Sequence, residues 1–253
     1  DVIIGIDIGG THLRIGAVDR AGQVVYFEKR ESREVCGTSG SGTRLIALIW
    51  DYLARNGLIS RARAIAVGFP STVSRDKRTV YSSPNLPLGG ADGLDGRDVV
   101  ALLEDALGGT TFLARDTIFL LHYDLVRLNL TNPGCTLGIY YGTGIGNAVY
   151  LDGKFLVGKH GVAAELGHIP YFGSTNVCGC GSRACAETHA GGYVLRNIWK
   201  DHYPTEPFCE IFQRHSEDPI IQTFIEAMAI PFATELNLFD PDQVILGGGV
   251  VEM

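Results

Sequence analysis

The hydrophobic pattern reads as alternating strands and helices, with one grammar stated twice. Residues 2–7 are a β-branched run, Ile8-Gly9-Gly10-Thr11 is a glycine turn, and residues 12–18 form a second strand with apolar positions alternating. A turn at Asp19-Arg20-Ala21-Gly22 leads into a third strand over residues 24–30. The same order returns far downstream: a strand over residues 136–141, the turn Gly142-Thr143-Gly144-Ile145-Gly146, a strand through Leu151, a turn at Asp152-Gly153, and Phe155-Leu156-Val157. This is the mark of a diverged duplication, two halves each built on a sheet and each offering a glycine-rich turn.

Between the copies the pattern predicts a helix over residues 43–56, a buried strand over 64–69, a turn-rich segment over 70–96 and a helix over 98–107. A short strand over 111–114 then stops at Arg115-Asp116, and an apolar-rich helix follows over 118–130. Asp116 therefore stands at a strand end and helix start, where the helix dipole favours an anion and where α/β folds gather their chemistry. Later helices are expected over 192–199, 208–215 and 219–238, the last kinked at Pro231, before a strand over 243–246 runs into Gly247-Gly248-Gly249. A glycine turn after a strand ordinarily launches a helix, yet the chain stops four residues later. The expected division is an N-terminal α/β domain of residues 1–115 and a larger one of 116–253, the second lacking its last element.

Composition narrows the function classes. With 253 residues, 45 % hydrophobic and 19 % charged, the chain has the material for one large core or two modest ones. A formal charge of -7 without Lys/Arg clusters excludes a nucleic-acid or anionic-membrane surface, and no apolar run approaches a membrane span. Cys36, Cys135 and Cys209 are scattered and the other three cysteines cluster, which is not a disulfide framework and fits a reducing cytoplasm.

That cluster is the densest chemistry in the chain. His168, Cys178, Cys180 and Cys185 supply one imidazole and three thiolates, the ligand set of a closed tetrahedral Zn²⁺ site, with Glu165 and Glu187 bracketing them. A disulfide with a spare thiol is the competing reading. Four soft or borderline ligands fill a structural site completely, so the metal is expected to shape a wall that the carboxylates use. Glu165 and His168 lack the second His of a metalloprotease helix.

The glycine turns point to phosphate, because backbone N–H groups can approach an anion that a Cβ would keep away. Thr11 and Thr143 add hydroxyls at matching places, and Asp7 adds a carboxylate suited to Mg²⁺ or its waters. Either turn alone is also what a tight hairpin requires. Their recurrence, with the third run at Gly247, Gly248 and Gly249, favours a phosphate-binding set. It comprises Gly5, Ile6, Asp7, Ile8, Gly9, Gly10, Thr11 and His12, then Gly142, Thr143, Gly144, Ile145, Gly146 and Asn147. Residues 153–160 imitate a P-loop only until His160 replaces the Ser or Thr, and no dinucleotide fingerprint is present.

Together D-I-G-G-T-H-L-R, G-T-G-I-G, E-L-G-H and C-x-C-x-x-x-x-C-x-E resemble the ROK family of bacterial sugar kinases and sugar-responsive repressors, over essentially the whole chain. The resemblance implies an actin-like, ribonuclease-H-like pair of α/β domains with a structural zinc loop. It also implies ATP, Mg²⁺ and structural Zn²⁺ as cofactors, a hexose as substrate, a cytoplasmic setting and a homodimer. Asp116 is implied as general base for the primary 6-hydroxyl, with Asn85, Glu165, His168 and Glu187 on the other hydroxyls and Arg115 a further candidate. Gly68-Phe69-Pro70, Asp76-Lys77-Arg78-Thr79, Ser83-Pro84-Asn85-Leu86-Pro87-Leu88, Ala114-Arg115-Asp116, His160-Gly161-Val162-Ala163 and Glu165-Leu166-Gly167-His168-Ile169-Pro170 are most similar to members acting on D-allose. Two positions depart from the common family pattern, Arg115 where Asn usually precedes the Asp, and Ala184 where the cysteine motif usually has Gly. The alternatives are a glucokinase or N-acylhexosamine kinase of the same family and a non-catalytic sugar-sensing regulator. The chain opens on its first strand with no helix-turn-helix, which is the expectation for an enzyme.

Overall fold

The first apolar run becomes β1 (Val2–Ile8), which pairs antiparallel with β2 (His12–Val18), itself antiparallel to β3 (Val24–Glu31). After helix α1 (Ser41–Arg55) the chain returns as β4 (Ala62–Phe69), parallel to β1. Three short strands, β5 (Thr72–Val73), β6 (Thr79–Ser82) and β7 (Arg97–Asp98), form a small sheet of their own. Helix α2 (Val99–Leu107) leads to β8 (Thr110–Arg115), parallel to β4, and α3 (Asp116–Arg127) starts at once. The main sheet thus runs β3-β2-β1-β4-β8.

The second half repeats the opening. Strand β9 (Cys135–Tyr141) pairs antiparallel with β10 (Ile145–Leu151), which pairs with β11 (Lys154–Phe155). Helices α4 (Glu187–Ala190), α5 (Gly192–His202), α6 (Ile211–His215) and α7 (Pro219–Phe239) precede β12 (Gln243–Gly247), which is parallel to β9. The order β11-β10-β9-β12 matches β3-β2-β1-β4 strand for strand, with the same antiparallel meander and one parallel partner. Among the described residues β12 pairs with β9 alone and forms the sheet's edge.

The computed structural model describes every residue except Thr38, Pro84, Asn85, Pro87 and Pro133. Two compact units emerge, Asp1–Phe119 with Val157–Ala163, and Leu120–Leu156 with Ala164–Met253. In the first, Ile4, Ile6 and Ile8 alternate inward along β1, and Leu45, Leu48, Ile49 and Tyr52 recur at helical spacing on α1. All belong to one core. Each such side chain, fully buried, contributes about 1.5–3 kcal/mol. In the second, Ile139, Tyr141 and Ile145 join Leu195, Ile221 and Phe224. Among the described residues no helix is long and apolar enough to cross a membrane.

Most elements lie where the pattern places them, with informative shifts. The small β5-β6-β7 sheet falls inside the expected turn-rich segment, because strands of two to four residues are too short to show a period. Helix α3 starts at Asp116, two residues early, with Thr117 N donating to Asp116 Oδ1 at 2.7 Å. The expected turn over 142–146 closes earlier, Gly142 N donating to Gly144 O at 3.0 Å, so Ile145, Gly146 and Asn147 are strand residues of β10. Residues 208–215 divide into a 3-10 turn and the short α6. Pro231 is buried inside α7, where its missing N–H deletes one rung.

An acidic side chain is buried deep in the second unit. Glu235 on α7 is 2 % exposed; its Oε1 accepts from Asn147 Nδ2, while Oε2 has no partner among the described residues. Burial pushes its carboxyl up to about 7. The folded chain then holds a proton that the unfolded chain has released, between the ordinary carboxyl range and neutrality. That stabilisation is complete below about pH 4.5 and is lost as the pH rises through about 7. Glu235→Gln, which mimics the protonated form, is expected to be more stable than the parent at pH 8 by on the order of a few kcal/mol. The two should converge near pH 4.5 in urea unfolding.

Candidate functional site

In the first unit the register lines up the chemistry along one sheet edge. Asp7 on β1 lies beside Gly68 on β4, and Gly68 beside Ala114 on β8, all three at the carboxyl ends of parallel strands. At the spacing of neighbouring strands, Asp7 and the start of α3 are separated by about 10 Å. Crevices outside the carboxyl ends of strands are where α/β sheets bind ligands. Asp116, half-buried, is the first residue of α3, so the amino end of that helix lies against its carboxylate. A Cβ on Gly68 would meet the Phe119 ring at 3.3 Å and the Asp116 Cα at 3.4 Å, so an added side chain there would press on α3.

Asp7 Oδ2 accepts from Arg14 Nη1 at 2.8 Å, a half-exposed pair across β1 and β2. Gly9 N donates to His12 O at 2.9 Å and Ser32 Oγ donates to Gly9 O at 2.6 Å, closing the turn Ile8 to Thr11. Ile6 and Ile8 are buried and Gly5 lies mid-strand, so the turn offers its backbone, Thr11 and His12 to a ligand. Arg115 is 5 % exposed, and its Nη2 donates to Ala163 O at 3.0 Å. Gly161, at φ +80, passes so close to Val73 O that a Cβ would stand 1.8 Å from it. The segments 114–116 and 160–163 are thereby tied together by the Arg115 guanidinium. Asn85 lies outside the described residues.

In the second unit the two remaining glycine runs come together. Gly247 on β12 is in register with Tyr140 on β9, and Val250 N donates to Tyr141 O at 3.0 Å. Gly142, Thr143, Gly144 and Gly247 to Gly249 therefore share the carboxyl edge of β9 and β12. Asn147 is not part of that edge. It is 2 % exposed, its Oδ1 accepting from Leu166 N at 2.9 Å and its amide engaged by Glu235, so both polar atoms are committed to the core.

The cysteine loop folds back on itself through bridges between Pro170 and Cys185 and between Val177 and Arg183. A turn with Cys178 N donating to Ser182 O at 2.8 Å and Gly181 N to Cys178 O at 2.9 Å presents the first two sulfurs. His168 arrives from the 3-10 turn Leu166–His168. The four ligand atoms lie within 4.8 Å of one another, with Cys180 Sγ to Cys185 Sγ 3.7 Å and Cys178 Sγ to His168 Nδ1 3.7 Å. A zinc–sulfur bond of about 2.3 Å implies a tetrahedral edge of about 3.8 Å, so the donor set fits that ion. All six cysteines are free thiols. Burial, then the neighbouring Cys180 and Cys178 sulfurs, push the Cys185 thiol up to about 12, so a thiolate at Cys185 calls for a cation beside it. Nδ1 is the ring nitrogen turned to the sulfurs, which leaves Nε2 for another partner.

Glu165 opens the 3-10 turn, its carbonyl accepting from His168 N at 3.0 Å, and the residue before it, Ala164, is held at φ +62. Glu187 is the first residue of α4 and is buried. Its Oε2 accepts from Ile145 N at 2.8 Å, a contact that sequence spacing had no means of signalling. Outside the predicted set, His189 stacks on Tyr171 at 4.0 Å, and its Nε2 lies 2.7 Å from Ser174 Oγ, bracing the outer half of the loop.

A family profile described as "ROK family" matches residues 3–253. The chain is 26 % identical over 281 residues to a glucokinase of Thermotoga maritima, covering 98 % of this chain and 82 % of the relative. It is 27 % identical over 268 residues to an N-acetyl-D-glucosamine kinase of Erwinia tasmaniensis, covering 97 % and 83 %. Its fold is that of a ROK family glucokinase from Streptomyces griseus, solved in complex with glucose and AMPPNP, with a TM-score of 0.79 at 24 % identity. That likeness covers 99 % of this chain and 84 % of the other.

Ala184 occupies φ +60 between two loop hydrogen bonds, Ala184 N to Asn176 O and Tyr171 N to Ala184 O. A left-handed conformation costs an alanine about 1–2 kcal/mol, against the 0.5–1 kcal/mol of chain entropy that a glycine forfeits. Ala184→Gly is therefore expected to stabilise the chain by about 0.5–1 kcal/mol, read as a higher denaturation midpoint at unchanged m-value.

Proposed function

The chain belongs to the ROK family, and from that premise we propose that it is an ATP-dependent kinase phosphorylating the primary 6-hydroxyl of a hexose, D-allose first. The observation that carries the reading is the shared edge of the first unit. It sets a metal-suited carboxylate, Asp7, and a base-suited one, Asp116, at the ends of parallel strands with a glycine turn beside them.

Phosphoryl transfer asks for a positioned nucleophile, neutralised phosphate charge and an acceptor for the hydroxyl proton. Asp116 takes the proton of the 6-hydroxyl, and its place at the helix start, with Thr117 N donating to Oδ1, holds the side chain in position. Asp7 is the carboxylate that would hold Mg²⁺ or its waters, and Mg²⁺ when bound offsets phosphate charge. The turns at Gly9-Gly10-Thr11 and Gly142-Thr143-Gly144, with Gly247 to Gly249, present backbone N–H groups and hydroxyls to the nucleotide.

Glu165, Glu187 and His168 through Nε2 take the remaining sugar hydroxyls, with Asn85 from the 83–88 segment. Zn²⁺ on His168, Cys178, Cys180 and Cys185 would fix the loop that presents them. Arg115, occupied by Ala163 O, acts on the sugar by anchoring 160–163. The acting form is taken as a homodimer, which light scattering on the purified protein checks.

Two sets of observations bear on the acceptor. The segments 68–70, 76–79, 83–88, 114–116 and 160–163 speak for D-allose, and the names of the relatives speak for D-glucose or N-acetyl-D-glucosamine. Coupled ADP release across these three sugars is expected to give the highest kcat/KM with D-allose, by about tenfold or more, as a site that hydrogen-bonds each hydroxyl discriminates. A maximum with either other sugar reassigns the substrate within the same reaction. Sugar binding without ADP release would support a sugar-sensing regulator instead. Asp116→Asn is expected to lower kcat by roughly 10² to 10⁴ with sugar affinity retained, and full activity would end its assignment as base.

A further inference from the structure

The glycine turn of the second unit is held from both ends of the cysteine loop. Glu187, two residues beyond the ligand Cys185, is 9 % exposed, and its Oε2 accepts from Ile145 N at 2.8 Å. The carboxylate fits because two residues lack a Cβ: one on Gly144 would stand 2.1 Å from Oε2, and one on Gly167 3.3 Å from it. Beyond α4, Gly192 N donates to Gly142 O and Tyr193 N to Thr143 O, each at 3.0 Å. From the other end of the loop, Leu166 N donates to Asn147 Oδ1 at 2.9 Å. A buried carboxylate needs such a donor, and a backbone N–H this deep needs an acceptor, so neither can shift alone.

We propose that Glu187 is a positioning residue that couples sugar and nucleotide binding, one carboxylate oxygen fixing the phosphate-binding turn while the other meets a sugar hydroxyl. This rests on the kinase reading above. Sugar bound at one oxygen restricts the carboxylate and, through Ile145 N, the turn. Nucleotide bound at the turn fixes the same carboxylate for the sugar. The metal ligands adjoining Glu187 and Leu166 set the span between the two anchors, so the metal loop serves the nucleotide as well as the sugar.

Linkage makes the effect reciprocal, and this supplies the test. Calorimetric titration of the zinc-loaded chain with MgADP, with and without saturating hexose, and the reverse titration, are expected to show the same coupling of about fivefold or more. In Glu187→Ala the coupling falls to about one, and Glu187→Gln, which keeps an acceptor for Ile145 N, restores part of it. Gly144→Ala, which crowds the Glu187 carboxylate from the turn and leaves the side chains assigned to sugar chemically unchanged, is expected to weaken hexose binding in the absence of nucleotide. It is also expected to speed release of zinc to a chelating dye. A local role for Gly144 would leave hexose affinity and zinc release at parental values, and that result overturns the proposal. So does coupling retained in Glu187→Ala, or independent binding of hexose and MgADP by the parent, which leaves the kinase reading standing. A parent that binds neither overturns the kinase reading itself.

Discussion

A carboxylate buried beside two missing side chains is the constraint on which the second unit turns. Glu187 occupies the space that Gly144 and Gly167 leave open, and the N–H of Ile145 satisfies it. In apolar surroundings an unpaired carboxylate costs several kcal/mol, so the glycine turn, the 3-10 turn carrying His168 and the start of α4 are held as one arrangement. The cysteine loop leaves this arrangement at Ile169 and rejoins it at Ala186, Ala186 N donating to Ile169 O at 2.9 Å. Four metal-suited donors then close the loop, two of them, His168 and Cys185, adjoining those very points. Polar satisfaction and coordination chemistry thus act on the same stem.

The duplication explains why chemistry collects where it does. In each half a central strand has an antiparallel neighbour on one side and a parallel one on the other, so its carboxyl end is also the turn of a hairpin. That places a glycine turn at the same point twice. Divergence acted on what surrounds the turns. The first unit carries β8 and with it Asp116, and the second carries the helices α4 to α7 and the cysteine loop.

Much of this was legible in the chain. The meanders, the helices α1 and α2, and the cysteine cluster announce themselves through period, capping residues and ligand spacing, which are local properties. Asp98, read as the start of a helix, is its N-cap and accepts from Ala101 N. What escaped was nonlocal. Asn147, adjoining a glycine turn, reads as a ligand contact until α7 brings Glu235 to it across 88 positions of sequence. The Glu187 to Ile145 bond joins residues 42 apart, and its only trace in the sequence is a pair of glycines with a second reason to be there. Arg115 resembles a specificity residue, but its guanidinium is engaged by a carbonyl 48 residues away. The β5-β6-β7 sheet was hidden for the opposite reason, its strands being shorter than any period.

The close approach of Gly161 to β5 has its own consequence for engineering the protein. At φ +80, with a Cβ position 1.8 Å from the Val73 carbonyl oxygen, residue 161 can take no side chain unless β5 or the 160–163 segment moves. Mutagenesis aimed at altering acceptor preference through that segment therefore has residues 160, 162 and 163 to vary and residue 161 to leave fixed.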